Sequence, residues 1–421
     1  MTQAEVEVTP HLGEANTGSL VDRWAKSRIF SRLESLTSGS ITLLDGAESH
    51  QLGDASAPLQ ATVTVLDSRF YRDLALGGAL GGAEAYMDGY WTADDLSCVI
   101  RILAQENEGG VSVGAARWRK WGLSGLHALR RNTRSGSRRN IAAHYDLGNE
   151  FFELFLDPTL TYSSGIFETP ESSMEEASIA KYERLCKKLR LGPDDHVLEI
   201  GTGWGGFAVY AAGRYGCRIT TTTISERQYE RACGRVRDAC LSDRVSVLFE
   251  DYRDLSGRYD KLVSIEMVEA VGHEKMEEFF SACRDRLKPG GVMALQAITA
   301  PEKNFEAQVR NVDFIKRYIF PGGELVSVGS VNEAASRNSG FRMTHLEDLT
   351  PHYAETLRRW RGRMLENLPR MRALGLGERF LRMWEFYLCY CEGGFEERSI
   401  GLVQAVLEKD GTRRLPLLGS L

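Results

Sequence analysis

The hydrophobic and polar positions of this chain fall into two patterns. Beyond residue 195, short apolar, β-rich runs alternate with stretches of helical period. "HVLEI" precedes the helical "WGGFAVYAAGRYG", and "RITTTTI" follows it. A second helix opens at Ser225, with "SERQ" as a capping box. "VSVLFE" and "KLVSIEMV" read as the next strands. "HEKMEEFFSACRDRLKPGG" reads as an amphipathic helix stopped by Pro289 and two glycines, and "VMALQAI" as a fifth strand. Alternation of this kind predicts an α/β fold, a doubly wound parallel sheet of Rossmann-like type. The long connection "TAPEKNFEAQVRNVDFIKRYIFPGGELVSVGS" implies a lid or an inserted helix. Two arginine-rich helical segments follow, and "IGLVQAVLE" is expected to close the sheet edge.

The first 110 residues follow a different pattern. "ITLLDG" and "ATVTVLD" read as short strands, and "GGALGGAEAYMDGYW" as a glycine-rich turn entering a helix. These make a small N-terminal α+β module over 1–110, a linker over 111–140, and a main domain over 141–421. A length of 421 residues suits two domains.

Composition changes the picture only in places. The apolar and charged fractions are those of a globular protein, and no run of eighteen apolar residues occurs. The polar, acidic N-terminus differs from a signal peptide, so a cytoplasmic location is expected. The eight cysteines are scattered, with no CxxC pair or zinc spacing, so no metal is expected. Cys389 and Cys391 read as buried thiols. A net charge of −6 argues against a dedicated nucleic-acid binder. Yet residues 111–144 carry eight Arg or Lys and no acid, with Trp118 and Trp121 among them. That composition suits an anionic membrane surface, and it equally suits a solvated interdomain linker.

The candidate chemistry starts at "EIGTGWGG". Gly201, Gly203 and Gly206 satisfy the bare dinucleotide pattern, so a NAD site stays open on that motif alone. Three features favour S-adenosylmethionine. Glu199 precedes the turn, where a methionine ammonium would lie, and Trp204 would crowd a pyrophosphate. "EDYRDL" puts Asp251 and Tyr252 where an adenine would sit, and "LKPGG" precedes the fifth strand. The second strand lacks the usual ribose-binding acid, which leaves that work to Thr223, Ser225 or Gln228.

Taken in order, "GGAEAYMDGYW", "HYDLGNEFFELFLDPTLTYSSGIF", "VLEIGTGWGG", "TTISERQ", "DYRDL", "IEMVEAVGHE" and "YIFPGG" resemble the cyclopropane-fatty-acyl-phospholipid synthases. The mycolic acid cyclopropane synthases share the same core. The resemblance covers nearly the whole chain. It implies a class I methyltransferase, usually dimeric, that docks on the membrane and methylates cis double bonds of phospholipid acyl chains. Positions matching cofactor contacts are Tyr162, Ser163, Gly201, Gly203, Trp204, Thr223, Gln228, Tyr252 and Arg253. The resemblance also implies a bicarbonate ion as the base, held by a cysteine, a glutamate, a histidine, a backbone isoleucine and a tyrosine. Glu269, Ile298 and Tyr353 match three of these, whereas Ser164 stands at the cysteine and Gln296 at the histidine. Cys391 matches another family cysteine and reads as structural.

Neither Ser nor Gln is a base near neutral pH, so two outcomes stay open. Either they hold bicarbonate as neutral donors and a cyclopropane forms, or the proton leaves elsewhere. The second outcome gives a methyl- or methylene-branched or methylated unsaturated chain. Two rival functions also remain. One is methyl transfer to a soluble metabolite, since plant alkaloid N-methyltransferases share the core; the other is a catalytically silent lipid-binding protein. Trp360 and Trp384 read mostly as core, His144 as a buried residue, and His273 and Glu274 as helix caps. The arginines of "LRRWRGRM" suit either lipid phosphate or a solvated face.

Overall fold

The computed structural model describes residues 20–108, 148–337 and 339–411. The basic segment with Trp118 and Trp121, and His144, lie outside the described residues. Helix α1 (Leu20–Leu33) leads into strands β1 (Ser40–Asp45), β2 (Glu48–Gly53) and β3 (Gln60–Val65). Helix α2 (Arg69–Met87), strand β4 (Trp91–Ala93) and helix α3 (Leu96–Glu108) follow. The four strands make a sheet in the order β2-β1-β3-β4, with β1 and β3 parallel and both outer pairs antiparallel. The glycines expected to form a turn before a helix lie inside α2, which breaks at Gly78 (φ 59°, ψ −146°). Only glycine adopts that conformation cheaply, so the run makes a kink rather than a loop.

The second part opens with α4 (Asn149–Glu153) and α5 (Met174–Leu189), whose first turn carries a complete Ser173/Glu176 capping box. Then come β5 (His196–Ile200), α6 (Gly206–Tyr215), β6 (Arg218–Thr222), α7 (Glu226–Asp238), β7 (Val245–Leu248) and β8 (Tyr259–Ile265). Next are α8 (Met276–Arg286), β9 (Leu287–Thr299), α9 (Glu302–Arg310), a π turn (Ile315–Ile319) and α10 (Val328–Arg337). Strand β10 (Phe341–Asp348), helices α11 (Thr350–Glu366), α12 (Leu368–Ala373) and α13 (Glu378–Glu396), and strand β11 (Gly401–Lys409) complete the order.

The seven strands run β10-β11-β9-β8-β5-β6-β7. Strands β5 to β9 are parallel, and β11 is antiparallel to both neighbours. This is the doubly wound α/β sheet expected from the alternation, with three corrections. "IGLVQAVLE" is an interior strand, and β10, unforeseen, forms the edge. The helix before "LKPGG" ends at Arg286, and Pro289 and both glycines belong to β9. Three helices, not two, separate β10 from β11.

Helix α13 packs against α2, α3 and α11, so it joins the two sheets. Arg382 donates to the carbonyls of Tyr86 (2.5 Å) and Trp91 (2.7 Å), Tyr86 Oη donates to Glu385 (2.9 Å), and Arg101 pairs with Glu397 (2.5 Å). Trp360 and Trp384 are fully buried in this joint core. Three of the four arginines of "LRRWRGRM" are committed to the fold: Arg358 pairs with Glu355, Glu392 and Glu396, Arg359 with Glu355, and Arg361 with Glu392. Among the described residues, no helix is long and apolar enough to cross a membrane.

Candidate active site

The β5–α6 turn reverses direction through left-handed Gly201 (φ 102°) and Gly203 (φ 52°). A side chain at Gly206 would meet Tyr182 Oη at 2.4 Å and the Thr159 carbonyl at 3.0 Å. Only glycine therefore lets the start of α6 pack this closely on α5. The turn forms the floor of one cavity of about 1090 Å³, which continues between the two sheets into the core of the N-terminal module. Ile41, Leu43, Val63 and Val99 line the far end, and Trp24, Arg28 and Arg32 of α1 also contribute to the wall.

Of the residues predicted to hold the cofactor, Tyr162, Ser163, Glu199, Gly201, Gly203, Trp204, Thr223, Gln228, Asp251, Tyr252 and Arg253 all line this cavity. Ser225 does not, because its hydroxyl caps α7 by accepting from the Gln228 N–H (3.4 Å). The capping box stays half made, since the Gln228 side chain accepts from Thr223 Oγ1 instead (2.9 Å). Arg253 grips Asp251 through two guanidinium bonds (2.8 and 2.6 Å) and lies over the Tyr252 ring, which fixes that wall. Trp204 Nε1 donates to Asn149 (2.9 Å), and its ring packs against Phe152.

Glu199 tests whether S-adenosylmethionine fits here. Its carboxylate is buried and hydrogen-bonded to Thr221, but Oε2 has no partner. Burial pushes its pKa up to about 8, with Thr221 and the charge of Lys181 opposing. An unpartnered acid at the cavity floor suits a ligand carrying an ammonium and a sulfonium. The site therefore fits the cofactor.

The remaining candidates gather at the ends of β8 and β9. Glu269, Ile298, Tyr353 and Cys391 line the cavity, whereas Ser164 and Gln296 do not. Between those two and the cavity stands Glu266, which the sequence reading passed over. Its Oε1 accepts from the Ser164 N–H (3.0 Å) and Gln296 Nε2 (2.7 Å), and its Oε2 accepts from Tyr353 Oη (2.6 Å). Gln296 is oriented by a buried relay: Lys188 Nζ donates to Gln404 Oε1 (2.8 Å), and Gln404 Nε2 donates to Gln296 Oε1 (2.8 Å). The Ile298 N–H donates to Glu269 Oε1 (2.5 Å), while Glu269 Oε2 is buried and unpartnered. Ser164 Oγ only donates to the Gly165 carbonyl (3.0 Å).

The two carboxyl groups differ in their surroundings. Burial raises the Glu266 pKa, opposed by the charge of Lys181 and by donation from Tyr353, Gln296 and the Ser164 N–H. Burial and the Glu266 charge push Glu269 up to about 8, opposed mainly by the Ile298 N–H. Near pH 7 Glu269 therefore keeps its proton, and the three donors that converge on Glu266, against one on Glu269, make Glu266 the better supported of the two as a carboxylate. Lys181, also missed, is fully buried behind this cluster and donates to Ser163 Oγ (2.5 Å). Burial lowers its pKa to about 8, countered by Glu266, Asp157 and Glu199. Burial pushes the Cys391 thiol up, which keeps it a neutral wall residue. The aromatic wall beside it includes Tyr162, Phe320, Tyr353 and Tyr387, with Tyr162 Oη donating to Tyr387 Oη (3.0 Å).

Residues 132–405 match the family model of mycolic acid cyclopropane synthetase. The chain is 38% identical over 351 residues to tuberculostearic acid methyltransferase of Mycobacterium tuberculosis, covering 81% of each chain. It is 34% identical over 366 residues to the cyclopropane-fatty-acyl-phospholipid synthase of Escherichia coli, covering 85% of this chain and 89% of that one. Among solved structures, the mycolic acid cyclopropane synthase CmaA1 complexed with SAH and CTAB superposes with a TM-score of 0.61 at 34% identity. That match covers 65% of this chain and 98% of the other. Coclaurine N-methyltransferase, at 19% identity and a TM-score of 0.60, shares the fold. The protein is thus an S-adenosylmethionine-dependent methyltransferase, and it belongs to the mycolic acid cyclopropane synthetase family.

Proposed function

We propose that this enzyme methylates a cis double bond in an unsaturated acyl chain of a membrane phospholipid, reached by docking on an anionic membrane surface. The observation that carries this reading is the cavity, which leads from the cofactor turn past an aromatic wall into the apolar core of the N-terminal module. A soluble amine or phenol would need polar anchors along such a path, and a long acyl chain needs only its length and dryness. The relatives point the same way, one named for tuberculostearic acid and one for fatty-acyl phospholipid.

When bound, S-adenosylmethionine supplies an electrophilic methyl group. The chain's own part is to hold the alkene against it, exclude water, and manage the cation left on the neighbouring carbon. The ring faces of Tyr162, Phe320, Tyr353 and Tyr387 supply π density to such a cation. Methyl-labelled cofactor incubated with vesicles of mono- and diunsaturated phospholipid tests the proposal. Label should appear in the released acyl chains and should require vesicles. NMR of those chains then reads the product as cyclopropane, branched or methylated and unsaturated. Cofactor binding without any labelled lipid would sink this reading.

A further inference from the structure

Resting on that reading of the acceptor, the geometry points to Glu266 as the built-in base, its carboxylate standing where relatives of this fold are expected to bind bicarbonate. The groups matched to an anion's ligands are already taken. Tyr353 Oη, Gln296 Nε2 and the Ser164 N–H all converge on Glu266, and the Ile298 N–H is held by Glu269. A second anion would lie against the Glu266 carboxylate and find none of these four donors free, with only Glu269 Oε2 left beside it. Bicarbonate does not fit this site.

The same bonds leave Glu266 able to act. A carboxylate offers about four lone-pair sites, and three are used, so one on Oε2 remains. Glu266 lines the cavity, whereas Ser164 and Gln296 stand behind it as positioning residues. Its backbone is left-handed (φ 49°), a conformation that a non-glycine residue adopts only under strain. That strained turn, directly after β8, aims the side chain along the sheet's catalytic edge.

The step balances without a further reactant. After the methyl group has bonded to one alkene carbon, the cation sits on the other. Glu266 takes a proton from the added methyl, and the C–H electron pair becomes the new carbon–carbon bond. That bond closes a three-membered ring directly, or forms an exocyclic double bond after a hydride shift. The product is neutral, and protonated Glu266 returns its proton to solvent.

Two measurements on the full chain test this. With labelled cofactor and unsaturated phospholipid vesicles, wild-type turnover should change less than twofold between carbon-dioxide-scrubbed buffer and buffer with added bicarbonate. E266Q should lose roughly a hundredfold or more. E266G, which suits the left-handed backbone, should lose as much in scrubbed buffer and regain activity with bicarbonate or formate. Separately, titration of ¹³C-bicarbonate should show binding to E266G and none to the wild type, with cofactor affinity confirming that both are folded. Bicarbonate dependence of the wild type, its equal binding by both proteins, or full activity of E266Q would overturn the inference. The NMR titration needs no turnover, so wild-type protein that labels no lipid would defeat the proposed acceptor and leave this test standing.

Discussion

Glu199 offers the cleanest test at the scale of one residue. Its raised pKa means that the ligand-free protein holds a proton there below about pH 8. A cation seated against Oε2 needs the ionised form, so cofactor affinity should rise with pH from 6 to 8, by at most tenfold per unit, and then level off. The charged and titratable groups facing it are Lys181, Tyr182 and Cys186. Lys181, lowered to about 8, is pushed by a bound cation in the same direction, towards losing its proton. Calorimetry in two buffers of different ionisation enthalpy should therefore show net proton release on binding. Proton uptake, or a flat pH profile, would exclude Glu199 as the cation's partner. The sequence made Glu199 and the glycine turn legible because an apolar strand, an acid and four glycines fall within eleven consecutive residues, 196–206. Glu266 was visible in the same way, as an acid ending the apolar run "KLVSIE", but its role depends on donors from three distant segments. Lys181 carried a weaker signal: with Ala177 and Leu185 it falls on the buried face of α5.

At the scale of elements, the glycine turn and α5 are locked together through Gly206. A methyl group there would collide with Tyr182 Oη and the Thr159 carbonyl, both held in place. Tyr182 Oη is hydrogen-bonded to Thr161 Oγ1, so it cannot swing aside without losing a buried partner. Gly206→Ala should thus cost about 1–3 kcal/mol by overpacking and should weaken cofactor binding. At Gly203 the added methyl meets nothing within 4 Å, so Gly203→Ala carries only the left-handed backbone cost. Urea unfolding of the two variants should rank Gly206→Ala as the less stable; the reverse order would mean that the close approach is relieved elsewhere. The parallel strands were legible because their runs are short, apolar or β-branched, and in β5, β6 and β8 mostly buried. Strand β10 was not, since its inward positions include His345 and Glu347, and Glu347 pairs with Arg184 (2.9 Å) and Lys188 (2.6 Å). An ion pair in place of an apolar stripe hides a strand from any reading of hydrophobicity. The position of β11 was equally hidden, because strand order depends on pairing and not on sequence order.

For the whole molecule, the question is how a membrane lipid reaches a cavity that spans both sheets. Leu20, Trp24, Arg28 and Arg32 recur every four residues and so lie along one side of α1. Leu20 is 77% exposed and Trp24 51%, and Val21 beside them is 47% exposed. Trp24, Arg28 and Arg32 also line the cavity, so this apolar and cationic stripe borders an opening into it. Apolar side chains beside arginines match the boundary between acyl chains and anionic headgroups. Replacing Leu20 and Trp24 together by Asp removes apolar contact worth about 1.5–3 kcal/mol per large side chain and adds repulsion. Co-sedimentation with anionic vesicles should then weaken by roughly tenfold or more, and turnover on vesicles should fall with it. Cofactor affinity should hold, because neither residue touches the glycine turn or the Glu266 cluster. Wild-type vesicle binding should also weaken as salt screens the arginines. If the double variant bound vesicles as tightly as the wild type, α1 would not be the docking face. The lipid's entry would then have to be sought on another wall of the cavity, and the basic residues of the sequence over 111–140 would be the next to neutralise.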